Sequence, residues 1–277
     1  MKWKNFFKPV GNMDPKEARV YMAEHRVGGY TLLDVRQLRE YEESRIPGAT
    51  LIPLPQLSDR LKELDPEKPI LAYCAIGGRS RAAAQLLAGR GFEEVYNLKG
   101  GIKAWNGLTA EGPVDFGSES IARDMSPHEV LDFALGMEKG LALFYHTAAR
   151  ETGDKDLADL LTKLAGFEDK HQHKLLALLK TFESTRESTP VAEQEAASVM
   201  EGGFAPDDFF EKNRSLMDSP SGILSLSMML ETQALDLYIR FAGYMENEKS
   251  SNLLQQIADD EKAHLKALGE MIERGHY

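Results

Sequence analysis

The chain has 277 residues, a formal net charge of −11 and 42% hydrophobic residues; that length suits two domains, and that composition excludes a disordered or fibrous protein. No apolar run reaches the roughly 18 residues of a membrane span, and the basic start Met1–Pro9 lacks the apolar core of a secretory signal. The single cysteine, Cys74, excludes intrachain disulfides and any four-cysteine metal centre, and it fits a reducing cytoplasm.

The charge is unevenly divided. Residues 1–112 hold 17 Lys+Arg against 14 Asp+Glu, and residues 113–277 hold 16 against 30. So acidic a second half argues against nucleic acid or an anionic membrane as a partner and leaves cations open.

The first half alternates strand and helix signals. Asp14-Pro15 opens a helix with a capping Asp and Pro at its first position. Thr31–Leu33, Thr50–Ile52, Ile70–Tyr73 and Val95–Tyr96 are short apolar runs bounded by Gly, Pro or charges, and Arg79–Arg90 reads as a helix between two of them. This alternation predicts an α/β domain with a mostly parallel sheet over residues 1–108. Periodicity disappears over 109–125, where Gly, Pro and Ser cluster, and a linker is expected there.

Ser126-Pro127-His128-Glu129 carries the signature of a helix start. From there to 277 the period is helical. Four long helices are predicted, over about 126–151, 155–184, 220–246 and 248–274, with short helices near Ala192–Met200 and Asp207–Asn213. The fold expected is an all-α, up-down four-helix bundle with one long crossover.

Cys74 closes the apolar run Ile70–Tyr73 and precedes Ala75, Ile76, Gly77, Gly78, Arg79 and Ser80. A strand, a glycine-containing loop and a helix N-terminus can aim several backbone N–H groups at one sulfur, and Arg79 adds positive charge. Such a cradle favours a thiolate or a persulfide on Cys74, and hence nucleophilic sulfur transfer. A buried, inert cysteine is the competing reading of this motif alone.

The helical half repeats itself at an offset of 93 residues. Glu138, Tyr145, Glu168 and His171 recur as Glu231, Tyr238, Glu261 and His264. Gly153-Asp154 and Glu246–Glu248 lie midway between the paired glutamates, so two antiparallel hairpins would bring each pair level, and each Glu-x-x-His shares one helix face. These faces also carry Leu135, Leu141, Leu161, Leu164, Ile257 and Leu268, where burying four carboxylates together is costly unless cations neutralise them or their pKa values rise. Four Glu and two His therefore point to a two-metal carboxylate centre. Tyr145 and Tyr238 lie near the ligand faces, where they could bond the carboxylates, pass an electron or simply fill the core. His128, His146 and His173 lack the spacing, and Met228 and Met229 are expected in the core.

Two family resemblances follow from these motifs. Leu32–Arg36, Glu40-Tyr41, Ile46–Ala49, the Cys74 loop and Val95–Trp105 resemble the rhodanese family in the right order. That resemblance implies a single-domain sulfurtransferase in which Cys74 carries the persulfide and Asp34 and Arg36 buttress its loop. Four residues between Cys74 and Arg79, one fewer than in the related phosphatases, favour sulfur over phosphate. Ala75 and Ile76 stand where many thiosulfate-using loops have basic residues, which points to an apolar or protein persulfide donor. Residues 126–277 resemble the rubrerythrin branch of the ferritin-like superfamily. This second resemblance implies two iron ions in a homodimer reacting with peroxide or oxygen; manganese and zinc suit the same ligands. Ala234 occupies the position of an extra rubrerythrin Glu, so oxygen chemistry and iron handling stay open. No rubredoxin-like domain is encoded, so an external donor such as a rubredoxin-like protein would supply electrons. The alternative is a non-catalytic metal store or sulfur carrier whose bundle serves dimerisation.

Overall fold

The computed structural model describes residues 10–110, 126–183, 206–245 and 247–274. They fall into two compact units, one within Met1–Gly112 and one within Pro113–Tyr277.

The first unit is an α/β domain. Its strands are β1 (Gly11–Met13), β2 (Thr31–Asp34), β3 (Thr50–Leu51), β4 (Ile70–Tyr73) and β5 (Val95–Leu98); its helices are α1 (Pro15–Glu24), α2 (Leu38–Glu43), α3 (Gly78–Gly89) and α4 (Gly101–Ala104). The strands form one parallel sheet in the order β1-β5-β4-β2-β3. All four residues of the central strand β4 are buried, as a strand covered on both faces requires. Ala83, Ala84 and Leu87 of α3 pack with Leu33, Ala72 and Val95 of the sheet in the core. α1 begins as its sequence predicts, with Asp14 and Glu17 forming a reciprocal capping box. β1 was not predicted. Gly11-Asn12-Met13 has no apolar run, and its strand character comes from pairing with β5 at the sheet edge. Ala110 exchanges two backbone hydrogen bonds of 2.8 Å with Arg45, so at 110 the chain still belongs to this unit. Residues 111–125 of the proposed linker lie outside the described residues.

The second unit consists of helices α5 (Pro127–Glu151), α6 (Lys155–Glu183), α7 (Pro206–Lys212), α8 (Arg214–Met217), α9 (Pro220–Tyr244) and α10 (Glu248–Glu273). Ser126 caps α5 in a box with Glu129, Asp154 accepts from Leu157 N at the start of α6, and Asn247 caps α10. The four long helices start and stop within two residues of the predicted limits. Stripes such as Leu131 and Leu135, Leu157 and Leu161, Leu224 and Leu230, and Leu254 and Leu268 are buried, each side chain contributing about 1.5–3 kcal/mol. The short helix predicted near Asp207 is α7, whereas the one predicted over Ala192–Met200 lies outside the described residues. Met229 departs from expectation: it is 41% exposed and Met228 only half-buried, because the inward stripe of α9 passes through Leu226, Leu230 and Ala234 instead.

Candidate functional sites

In the α/β unit β4 delivers Cys74 to the carboxyl edge of the sheet, where open parallel sheets bind ligands. Cys74 is 1% exposed. Its Sγ accepts from Gly77 N at 3.1 Å and lies 3.4 Å from Ser80 Oγ. Burial pushes the thiol up, but bonds from the Ser80 side chain and from the backbones of Ser80, Ile76 and Gly77 outweigh it, and the net shift is downward. The loop is strapped from behind: Ile102 N donates to Cys74 O at 2.8 Å and Lys103 N to Ala75 O at 3.1 Å. Both glycines on this contact are required. A Cβ on Gly77, at φ +94°, would come within 3.1 Å of Gly100 N, and one on Gly101 would sit 2.1 Å from Cys74 O. At Gly78 a Cβ meets nothing, so the loop is open on that side.

Arg79 interacts with the Cys74 sulfur but does not serve it alone. It forks onto Glu40 of α2 with bonds of 2.8 and 2.6 Å, which hold the Glu40 carboxyl at about 2. In the same loop Ile76 is 68% exposed, so an apolar side chain stands at its mouth. Deeper in, Ser80 Oγ lies 2.7 Å from Asn97 Oδ1, so its one hydroxyl proton is shared between Asn97 and Cys74 Sγ, and Asn97 Nδ2 donates to Asn12 Oδ1 at 3.0 Å. Asp34 and Arg36 form a buried pair at 2.6 Å, and the Arg36 guanidinium lies over the Tyr73 ring. Glu40, Asn97 and Asn12 carried no assigned role in the sequence reading, because the contacts that matter span 39, 17 and 85 residues.

In the bundle Glu138, Glu168, His171, Glu231, Glu261 and His264 come together and are all buried. They form two overlapping groups, Glu138–Glu168–His171–Glu261 and Glu168–Glu231–Glu261–His264, in each of which one ligand atom per residue lies within 4.8 Å of the others. Glu168 and Glu261 belong to both. His171 Nδ1 faces Glu138, Glu168 and Glu261 at 3.2, 3.1 and 3.5 Å. His264 Nδ1 faces Glu261, Glu231 and Glu168 at 2.9, 3.3 and 3.3 Å. Tyr145 donates to Glu231 and Tyr238 to Glu138, each reaching the opposite hairpin. The tyrosines thus bond the carboxylates, and both are also fully buried in the core. His146 and His173 are exposed and His128 half-buried, all apart from the cluster.

The donor set fits cations. Burial, with neighbouring carboxylates second, drives the Glu168 and Glu261 carboxyls well above their ordinary range, while hydrogen bonds with Glu261 first, then His264 and Tyr145, hold Glu231 low against its own burial. Glu168 Oε1 and Glu261 Oε1, one on each shared carboxylate, are buried and accept no hydrogen bond among the described residues. Orphaned acceptors at the centre of an acidic cluster are what a divalent ion would satisfy. Asp260 carried no role in the sequence reading; its carboxylate reaches His171 Nε2 at 3.1 Å.

A family model described as a rhodanese-like domain matches residues 14–108, and one described as a ferritin-like domain matches residues 126–272, more than half of the chain. The chain belongs to both families. Among curated proteins, the rhodanese-like domain is 49% identical over 76 residues to the uncharacterized protein YqhL of Bacillus subtilis, a match covering 27% of this chain and 60% of that one. It is 40% identical over 78 residues to the putative sulfur carrier protein YrkF of the same organism, covering 28% and 42%. It is also 40% identical over 74 residues to the thiosulfate sulfurtransferase GlpE of Coxiella burnetii, covering 27% and 69%. The chain thus spans less than two thirds of the first two relatives. Among the described residues, no helix of either domain is long and apolar enough to cross a membrane.

Proposed function

We propose that the rhodanese-like domain is a sulfurtransferase that carries sulfane sulfur as a persulfide on Cys74, and that the ferritin-like domain holds two iron ions and reduces peroxide or oxygen. The observation that carries the first half is the ring of N–H and O–H groups around Cys74 Sγ. The Cys74 thiolate attacks the outer sulfur of a donor persulfide; that S–S bond breaks, the donor leaves as a thiol, and a new S–S bond forms on Cys74. The loop amides then stabilise the terminal anionic sulfur until an acceptor thiolate attacks it and Cys74 is regenerated. A paired Arg79 and an exposed Ile76 favour an apolar or protein-borne persulfide over the thiosulfate dianion.

For the ferritin-like domain the supporting observation is the pair of four-ligand groups sharing Glu168 and Glu261. Those side chains would hold the two ions, and Tyr145 and Tyr238 orient Glu231 and Glu138 toward them. Bound iron would supply two one-electron equivalents, matching the two-electron reduction of peroxide to water with electrons from an external rubredoxin-like protein. The rubrerythrin-type reading includes a homodimer in a reducing cytoplasm. The resemblance to a protein named as a putative sulfur carrier supports a second reading of the rhodanese-like domain, in which Cys74 only ferries sulfur; the matching role for the bundle is metal storage or dimerisation.

The test combines two measurements on the full chain. Elemental analysis after anaerobic ferrous reconstitution should find two irons per chain, and intact mass after exposure to a persulfide donor should show one added sulfur that Cys74→Ser abolishes. Repeated turnover with peroxide and an electron donor supports the redox enzyme. Iron loading beyond two per chain without turnover supports the store.

A further inference from the structure

The 93-residue repeat that relates the two halves of the metal cluster is broken beside the histidines. Asp260 immediately precedes Glu261, and its carboxylate meets His171 Nε2 at 3.1 Å across the bundle while also bonding Lys174 Nζ at 3.3 Å. The residue at the matching place before Glu168 is Phe167. Its ring centroid lies 5.3 Å from that of His264, and Lys170 Nζ stands 4.5 Å from the same centroid. His264 Nε2 is consequently buried with no hydrogen-bond partner among the described residues. The two imidazoles present Nδ1 to equivalent sets of carboxylates, but only one is held from behind.

We propose that the two metal positions are unequal, and that the one built on His171 fills first and holds its divalent ion more tightly because Asp260 fixes that imidazole. A carboxylate on the distal nitrogen fixes the tautomer, leaves the lone pair on Nδ1, locks the ring and makes it a stronger donor. The His264 ring, packed only against an aromatic face, has no group to select its tautomer. Asp260 is thus a positioning residue that grades the pair into one retained ion and one that exchanges. Since Glu168 and Glu261 are shared, filling the first position also withdraws charge from the second, which widens the gap. This inference rests on the dimetal reading above.

The test is an anaerobic titration of the metal-free full chain with Co(II) alone, followed by visible absorbance and calorimetry. Two ions should bind in two steps. Two steps would arise from shared ligands in any case, so variants must locate them. His264→Gln should keep the tight step and His171→Gln should lose it. Asp260→Asn should weaken the first step about 10–100-fold while leaving the second in place. Phe167→Asp, which supplies the missing carboxylate at the symmetric position, should tighten the second step toward the first. Circular dichroism of each metal-free variant checks that the bundle is folded. Two ions bound with both steps unmoved in Asp260→Asn, or a tight step surviving in His171→Gln, overturns the proposal and leaves the dimetal reading standing. No Co(II) bound by the unaltered chain overturns both.

Discussion

The two domains solve opposite electrostatic problems with opposite materials. Around Cys74 the rhodanese-like domain turns donors inward: backbone N–H groups and the Ser80 hydroxyl converge on one sulfur, and the net effect favours its anion. Around Glu168 and Glu261 the ferritin-like domain turns acceptors inward, and burial makes their charge costly. The donor site is written almost entirely in the seven residues from Cys74 to Ser80, because a loop between a strand and a helix can only close in a few ways. The acceptor site is written in register, as side chains about 30 residues apart that meet because two helices fold back on each other about a turn midway between them. A loop site is therefore sensitive to single backbone positions, whereas a bundle site is sensitive to the identity of its shared side chains.

The largest effects should separate the two sites cleanly. Cys74→Ser is expected to lower sulfur transfer by roughly 10³-fold or more, since serine at neutral pH is neither a thiolate nor a persulfide carrier. Metal content should not move. In the ferritin-like domain, Glu168→Ala removes a ligand common to both four-residue groups and should release both ions, whereas Glu138→Ala removes a ligand of one group and should release one. Elemental analysis after gel filtration reads the difference. Equal metal loss in the two variants would show that Glu168 is not shared.

A middle-sized effect concerns stability and runs against the metal. Glu168 and Glu261 have raised carboxyl pKa values in the fold, so the folded metal-free chain binds protons that the unfolded chain releases above about pH 4.3. Their contribution is fully present below that pH and is lost as pH rises through the folded values. Glu231, shifted downward, opposes them, one carboxyl against two. Metal-free protein should unfold in less urea at pH 8 than at pH 5, as followed by its helical circular dichroism. Glu261→Gln should stabilise the metal-free bundle at pH 8 by about 1–3 kcal/mol, flatten that pH slope and bind metal more weakly. A glutamine that destabilises the metal-free bundle would mean that the carboxylate is satisfied without a cation.

What could be read from the sequence, and what could not, follows the range of each interaction. Helix limits were legible because Ser126-Pro127, Asp154 and Asn247 mark them locally. The six Glu and His side chains that meet in the bundle are among the eight residues that the 93-residue offset relates, and the other two, Tyr145 and Tyr238, bond to them, because helical hairpins convert equal spacing into proximity. β1 escaped because edge pairing, not hydrophobicity, makes Gly11–Met13 a strand. The Glu40 fork escaped because Arg79 follows Cys74 in the loop and was read with its nearest neighbour in sequence, while its partner lies 39 residues away on α2. Asp260 was visible as the residue beside Glu261, but only the bundle shows that it supports a histidine of the other hairpin.

The smallest expected effect tests why the loop mouth is apolar. Arg79 shares its charge between Cys74 and Glu40, so a dianionic donor approaching Cys74 meets backbone dipoles and a partly neutralised guanidinium. Ile76 projects into solvent beside this approach, and no backbone bond of the cradle depends on its side chain. Ile76→Lys therefore adds one cation near the entry while leaving the N–H groups on the sulfur unchanged. An exposed charge at this range contributes about 1 kcal/mol or less. The KM for thiosulfate should fall a few-fold, more at low salt than at high, with kcat unaltered because the persulfide is held by the same amides. A change in kcat alone would place the side chain at position 76 in the chemistry of transfer, and an unchanged KM would locate donor selection deeper in the loop.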